Sequence, residues 1–125
     1  MLKSLAIAVA VMLVCAGSLC AQDVAVANPK SIRVKLDNEH VRVLEATLRP
    51  GYKENPHSHP SSIVYVLAGG KVRSHLPDGT STEATYTVGQ TVYRDPVPQH
   101  WAENIGKTTI RLIVVELKPQ PRPSI

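Results

Sequence analysis

The residues most able to do chemistry are the histidines, His40, His57, His59, His75 and His100. His57-Ser58-His59 has a useful spacing. On an extended strand, residues two apart point to the same side. Two imidazoles would then face one point, as two ligands of one ion must. Neutral imidazole suits Zn, Fe, Ni, Cu and Mn. His100 offers a third imidazole much later in the chain. His40 and His75 have no partner at ligand spacing and read as surface residues. Thiol chemistry is not expected. Both cysteines, Cys15 and Cys20, fall within an N-terminal leader.

That leader has the make-up of a signal peptide. Lys3 gives a short positive region, Leu5 to Val14 is an unbroken apolar run, and Ala16-Gly17-Ser18 follow with small side chains. The run is too short to span a membrane. The expectation is export to the periplasm or the medium, with residues 1–21 removed after Ala21. Cys15 and Cys20 leave a lipoprotein open as the lesser alternative, because neither has the usual Leu-x-Gly/Ala-Cys context. No second long apolar run exists, so no membrane span is expected.

The histidines must be positioned by strands. Beyond a polar leading segment at residues 22–31, the pattern has period two. Ile32, Val34 and Leu36 alternate with Arg33 and Lys35, and residues 41–48 alternate likewise. Turns fall at Pro50-Gly51, Gly69-Gly70, Pro77-Asp78-Gly79-Thr80, Gly89-Gln90 and Pro96-Val97-Pro98. This predicts about eight or nine short strands with no 3.6-residue pattern, hence an all-β sandwich or small barrel. The chain has 125 residues, 43% of them hydrophobic, which suits one folded domain and excludes a disordered one. It has no Phe and one Trp, so the core must be built from Val, Ile, Leu and Tyr. The net charge of +4 comes from scattered residues such as Arg33, Arg42, Arg49, Lys71, Arg73 and Arg94. No basic stripe exists, so nucleic acid is not an expected partner.

The surroundings of the histidines resemble two motifs of a known superfamily. Gly51-x5-His57-x-His59, followed by Gly69-Gly70, resembles the first cupin motif. Gly89-x5-Asp95-Pro96-x-Pro98-x-His100-x3-Asn104 resembles the second. The whole stretch 32–118 is similar to a small single-domain cupin of the type-2 conserved barrel, and residues 119–125 form a Pro-rich tail. The resemblance implies an antiparallel jelly-roll barrel, a double-stranded β-helix, with one divalent metal ion on His57, His59 and His100. It also departs from the usual pattern. Cupins commonly add a glutamate after the second histidine, whereas Ser62, Ile63 and Val64 stand there.

A three-His set leaves open positions on the ion, a pattern that resembles the thiol and diketone dioxygenases among the cupins. The functional expectation is an exported metal-binding cupin, as a non-haem Fe(II) dioxygenase or related small-molecule oxidoreductase. Zn, Ni or Mn are the alternative ions. The rival expectation is a periplasmic cupin that binds a small molecule or metal without turnover. Ser62, Tyr65 and Tyr93 are candidate contacts to substrate or to the ligating histidines; Tyr65 shares the parity of His57 and His59 if the strand is unbroken. Glu45 and Glu116 sit among apolar alternates, with exposure the expected outcome. No side chain stands out as a general base. A homodimer is expected from the habit of the superfamily and from open sheet edges.

Overall fold

A computed structural model describes residues 22–124. Its strands are β1 (Ile32–Asp37), β2 (Val41–Leu48), β3 (His57–His59), β4 (Ser62–Ala68), β5 (Gly70–His75), β6 (Ser81–Tyr86), β7 (Thr91–Arg94), β8 (Val97–Asn104) and β9 (Ile110–Leu117). All paired strands run antiparallel. They form a five-stranded sheet in the order β1-β2-β9-β4-β7 and a four-stranded sheet in the order β3-β8-β5-β6. The expected leader, residues 1–21, lies outside the described residues. Among the described residues no helix is long and apolar enough to cross a membrane.

The core follows from period-two alternation. Leu44, Ala46 and Leu48 of β2 pair with Val114, Leu112 and Ile110 of β9, and all six are buried. Val64 and Val66 of β4 continue that layer, and Val72 and Tyr86 close it from the second sheet. These side chains lie on one face of each strand because successive residues alternate sides. The opposite face of β4 and β7 carries exposed Ile63, Tyr65, Leu67 and Tyr93.

The leading segment differs from expectation. Instead of a wholly polar approach, Val24–Ala27 forms a one-turn helix, α1, capped by Asp23, whose side chain accepts from the backbone N–H of Ala25 and Val26. Val24 and Asn28 are 1% exposed, so this segment is built into the core. A four-residue turn is too short to leave a helical period in the sequence.

Asn104 ties the two motifs together. Its Nδ2 donates to Leu48 O and Thr108 O, both at 2.8 Å, and its Oδ1 accepts from Gly106 N at 3.0 Å. Its backbone N–H donates to Tyr52 O, and its carbonyl accepts from Gly51 N. Gly51 has φ +81°, in the left-handed region where a side chain is strained. The turn before the first motif is therefore held directly on the strand that carries His100. Truncation of Asn104 strands two carbonyls in a buried place. Asn104→Ala is expected to lower unfolding stability by about 2–3 kcal/mol in urea denaturation. A loss below about 0.5 kcal/mol would mean that this junction does not hold the fold.

Candidate metal centre

The three histidines come from two adjacent strands. His57 pairs directly with His100 across β3 and β8, whereas His59 pairs with Val97. The extra residue on β8 is a bulge, and it re-aims the side chains on either side of it. The imidazole centroids lie 4.8 Å (His57–His59), 4.7 Å (His57–His100) and 5.3 Å (His59–His100) apart. One nitrogen from each ring can be chosen so that all three lie within 4.8 Å of one another. His57 and His100 are 1% and 7% exposed.

The outer nitrogens decide which atoms face inward. His57 Nδ1 lies 2.8 Å from Asn55 O and so carries the hydrogen it donates there. Asn28 Nδ2 is 3.3 Å from the same atom, but its own hydrogens have acceptors in Val24 O and Asn55 O. His57 Nε2 is thereby left with a lone pair. His59 Nδ1 faces Glu116 Oε2 at 3.5 Å, the outer limit of a hydrogen bond, and has no closer partner. A hydrogen on that nitrogen, facing the carboxylate, leaves His59 Nε2 bare as well. These two Nε2 atoms are 3.1 Å apart. His100 Nε2 is buried with no partner among the described residues.

Such a cluster suits a cation. Two nitrogens bound at about 2.1 Å to one ion are about 3.0–3.4 Å apart at octahedral to tetrahedral angles. Without an ion, facing lone pairs repel. Asn55 and Glu116 act as ligand-orienting groups do at metal sites, by holding the far nitrogen of each ring. The residues present therefore fit a divalent ion on His57, His59 and His100.

Two carboxylates complete the site. Glu116 continues the inward face of Ile110, Leu112 and Val114 on β9 and is 2% exposed, contrary to the exposure expected of it. Burial alone would raise its affinity for a proton. The nearby His59 ring and the hydrogen bonds and charge of Arg42 outweigh that and hold it below the ordinary carboxylate range. Arg42 Nε donates to Glu116 Oε1 at 2.9 Å, and the same guanidinium pairs with Asp23 at the cap of α1. Glu54 is the residue the sequence reading missed. It precedes β3 on an irregular stretch, is 8% exposed, and its Oε2 lies 3.2 Å from His57 Nε2. Burial pushes its carboxyl up to about 8, against the pull of Arg94. The only sequence signal for Glu54 is its position three residues ahead of His57.

The three histidines and Glu54 line a small cavity of about 40 Å³ whose other walls are mostly apolar, including Val24, Leu48, Val64, Val72 and Val114. Ser62 and Arg94 also line it. Tyr65 and Tyr93 do not, which corrects the expectation for both. Pro60 and Ser61 separate β3 from β4 and shift the phase by one residue, so Ser62, Val64 and Val66 point inward and Tyr65 points out. On β7 the exposed residue is Tyr93, and its neighbour Arg94 reaches the cavity. Glu45 is paired with Arg111 on the outside. His40 lies by Gln120, and His75 stacks on Trp101 with Glu103 at 3.1 Å, both away from the site.

Solved structures share this arrangement of strands. A cupin domain from Bordetella pertussis Tohama I superposes with a TM-score of 0.65 at 27% identity, over 70% of this chain and 92% of that one. This chain folds as a cupin. An RmlC-like cupin family protein with a double-stranded β-helix fold, from Methanocaldococcus jannaschii, matches at TM-score 0.58 and 19% identity, covering 70% and 78% of the two chains. A conserved protein with a double-stranded β-helix domain, from Klebsiella pneumoniae, matches at 0.55 and 22% over 74% and 82%. The latter two likenesses concern the fold alone. No protein-family model matches this sequence, and no curated protein matches it.

The titrating groups of this site oppose one another. Burial holds His57 down to about 4 and His100 to about 3, from an ordinary 6.5. The unfolded chain then takes up protons below pH ~6.5 that the folded one refuses, so stability falls on acidification. Glu54 works the other way. Raised from 4.5 to about 8, it keeps its proton when folded and loses it when unfolded, so stability falls as pH rises toward 8. The metal-free protein should melt highest at about pH 6–6.5, with Tm falling on both sides. Glu54→Gln should flatten the alkaline side and steepen the acid side. A monotonic Tm profile between pH 5 and 8 in EDTA would contradict this balance.

Proposed function

We propose that this chain is an exported cupin that holds one divalent metal ion on His57, His59 and His100 and oxidises a small molecule there. The observation that carries the proposal is the pair of bare Nε2 atoms 3.1 Å apart beside the orphaned His100 Nε2. Three neutral ligands leave the ion its full charge and leave open positions for a substrate, and the resemblance of the motifs to three-His dioxygenases makes ferrous iron the ion of this proposal. Bound iron would supply dioxygen activation.

The chain's own residues do the remaining work. Asn55 and Glu116 hold the rings of His57 and His59 by their outer nitrogens. Glu54 Oε2 is the one carboxylate oxygen within reach of the inner face, and its raised proton affinity suits it to take a proton from an incoming hydroxyl or thiol. The apolar walls exclude water and so strengthen every charge interaction inside.

A second proposal, binding without turnover, is favoured by the cavity's size. About 40 Å³ holds an ion with a few waters or the head of a small ligand. Nucleic acid is a poor partner in either case, since Arg42, Arg73, Arg111, Lys35 and Lys118 are all in ion pairs. Export is supported by the composition of residues 1–21. A homodimer is supported by the exposed Ile63, Tyr65, Leu67 and Tyr93 on one sheet face.

The deciding experiment is elemental analysis of protein purified from its own host without chelators, beside His57→Ala. Near-stoichiometric iron that vanishes in the variant, with oxygen consumed on some small substrate, is the expected result. Zinc, nickel or manganese without oxygen uptake would favour the binding proposal. One metal per chain in both samples would overturn the triad. The same preparation tests export: intact and native masses should show a dimer of chains lacking residues 1–21, and a retained leader would refute it.

A further inference from the structure

Among the described residues, Arg94 is the one arginine or lysine lining the cavity. Its Nη2 donates to the hydroxyl of buried Tyr86, and its guanidinium carbon lies 5.9 Å from that ring's centre. This is its only side-chain hydrogen bond among the described residues, and no carboxylate there lies within ion-pair distance of it. The other partly buried arginine of the region, Arg42, is matched by two carboxylates. A half-buried guanidinium with a fork of donors free beside an apolar wall is arranged for a planar anion.

The position is also right. Arg94 pairs across the sheet with Ser62, and both side chains line the cavity that contains the three histidines. Among the described residues, Glu54 is the only carboxylate lining the same space. A divalent ion together with Arg94 exceeds the charge of that single carboxylate, so the occupied site attracts an anion. The enclosed space of about 40 Å³ limits what enters to a few heavy atoms, with any larger body left at the mouth.

We propose that Arg94 is the anchor for the carboxylate of a small, short-chain organic acid, which sets the substrate class of this site. The proposal rests on the metal-centre assignment for the role of the ligand, but Arg94 itself does not need the ion to bind a carboxylate. That separates the two in experiment.

The test is an NMR titration of the protein with propionate and with propionamide. It uses zinc-loaded and metal-free wild type, Arg94→Met, Arg94→Lys and His57→Ala. The expected result is saturable propionate shifts around β7 and β8, at least tenfold weaker for propionamide and at least tenfold weaker in Arg94→Met. Arg94→Lys should recover part of the affinity, and zinc content should be equal in all Arg94 variants. Equal affinity for acid and amide, wild-type affinity in Arg94→Met, or no saturable propionate binding would each overturn the assignment. Binding that needs zinc and ignores Arg94 would place the carboxylate on the ion and also overturn it. Full zinc in His57→Ala would instead refute the metal triad, with Arg94-dependent binding to the metal-free protein still standing.

Discussion

Three imidazoles brought together inside the barrel are the constraint around which it is organised. Two facing Nε2 lone pairs 3.1 Å apart repel unless an ion or a proton lies between them. Two of the three rings have a group behind them. His57 is fixed by Asn55, whose backbone N–H and side chain are in turn bonded to Asn28 and Ala27. His59 faces Glu116, which is held by Arg42, which is held by Asp23. Both supporting chains end in the segment around α1. The short helix is thus a brace for the histidine cluster as well as a plug for the core, through Val24.

The electrostatics follow the same division. On the outer side, Glu116 is matched by an arginine and stays ionised, so it can orient an imidazole. On the inner side, Glu54 is buried without an ion-pair cation and keeps its proton more tightly. Two carboxylates therefore flank the same histidines in opposite protonation tendencies, the arrangement by which environments assign acid and base roles. An ion in the centre would draw Glu54 toward the charged form, since a nearby cation favours a carboxylate. Arg94, also on the lining, adds a positive charge with no carboxylate among the described residues within ion-pair distance.

Much of the fold was legible because strand alternation is a local property. The β2 and β9 runs announce their buried faces residue by residue, and Gly51, Gly79 and Gly89 mark turns that need φ > 0. The His-x-His pair and its glycine spacing located the site for the same reason: strand periodicity converts spacing into a shared face. Phase was harder. Tyr65 was assigned by counting parity from His59, and one break at Pro60-Ser61 reversed it. Tyr93 and Arg94 are adjacent, and nothing in their own stretch says which of the two faces the cavity.

By itself, then, the sequence determined the class of fold, the turns, and three histidines able to meet, because each depends on neighbours a few positions away. The tertiary structure alone decided which carboxylates join them. Glu54 has no periodic context and is buried only because its backbone N–H pairs with Ala102 O on β8. Glu116 is inward because the β9 register against β2 and β4 carries its face into the barrel. Protonation, charge balance and cavity size all follow from those long-range packings, since burial is a property of the assembled sheets and not of any short stretch of chain.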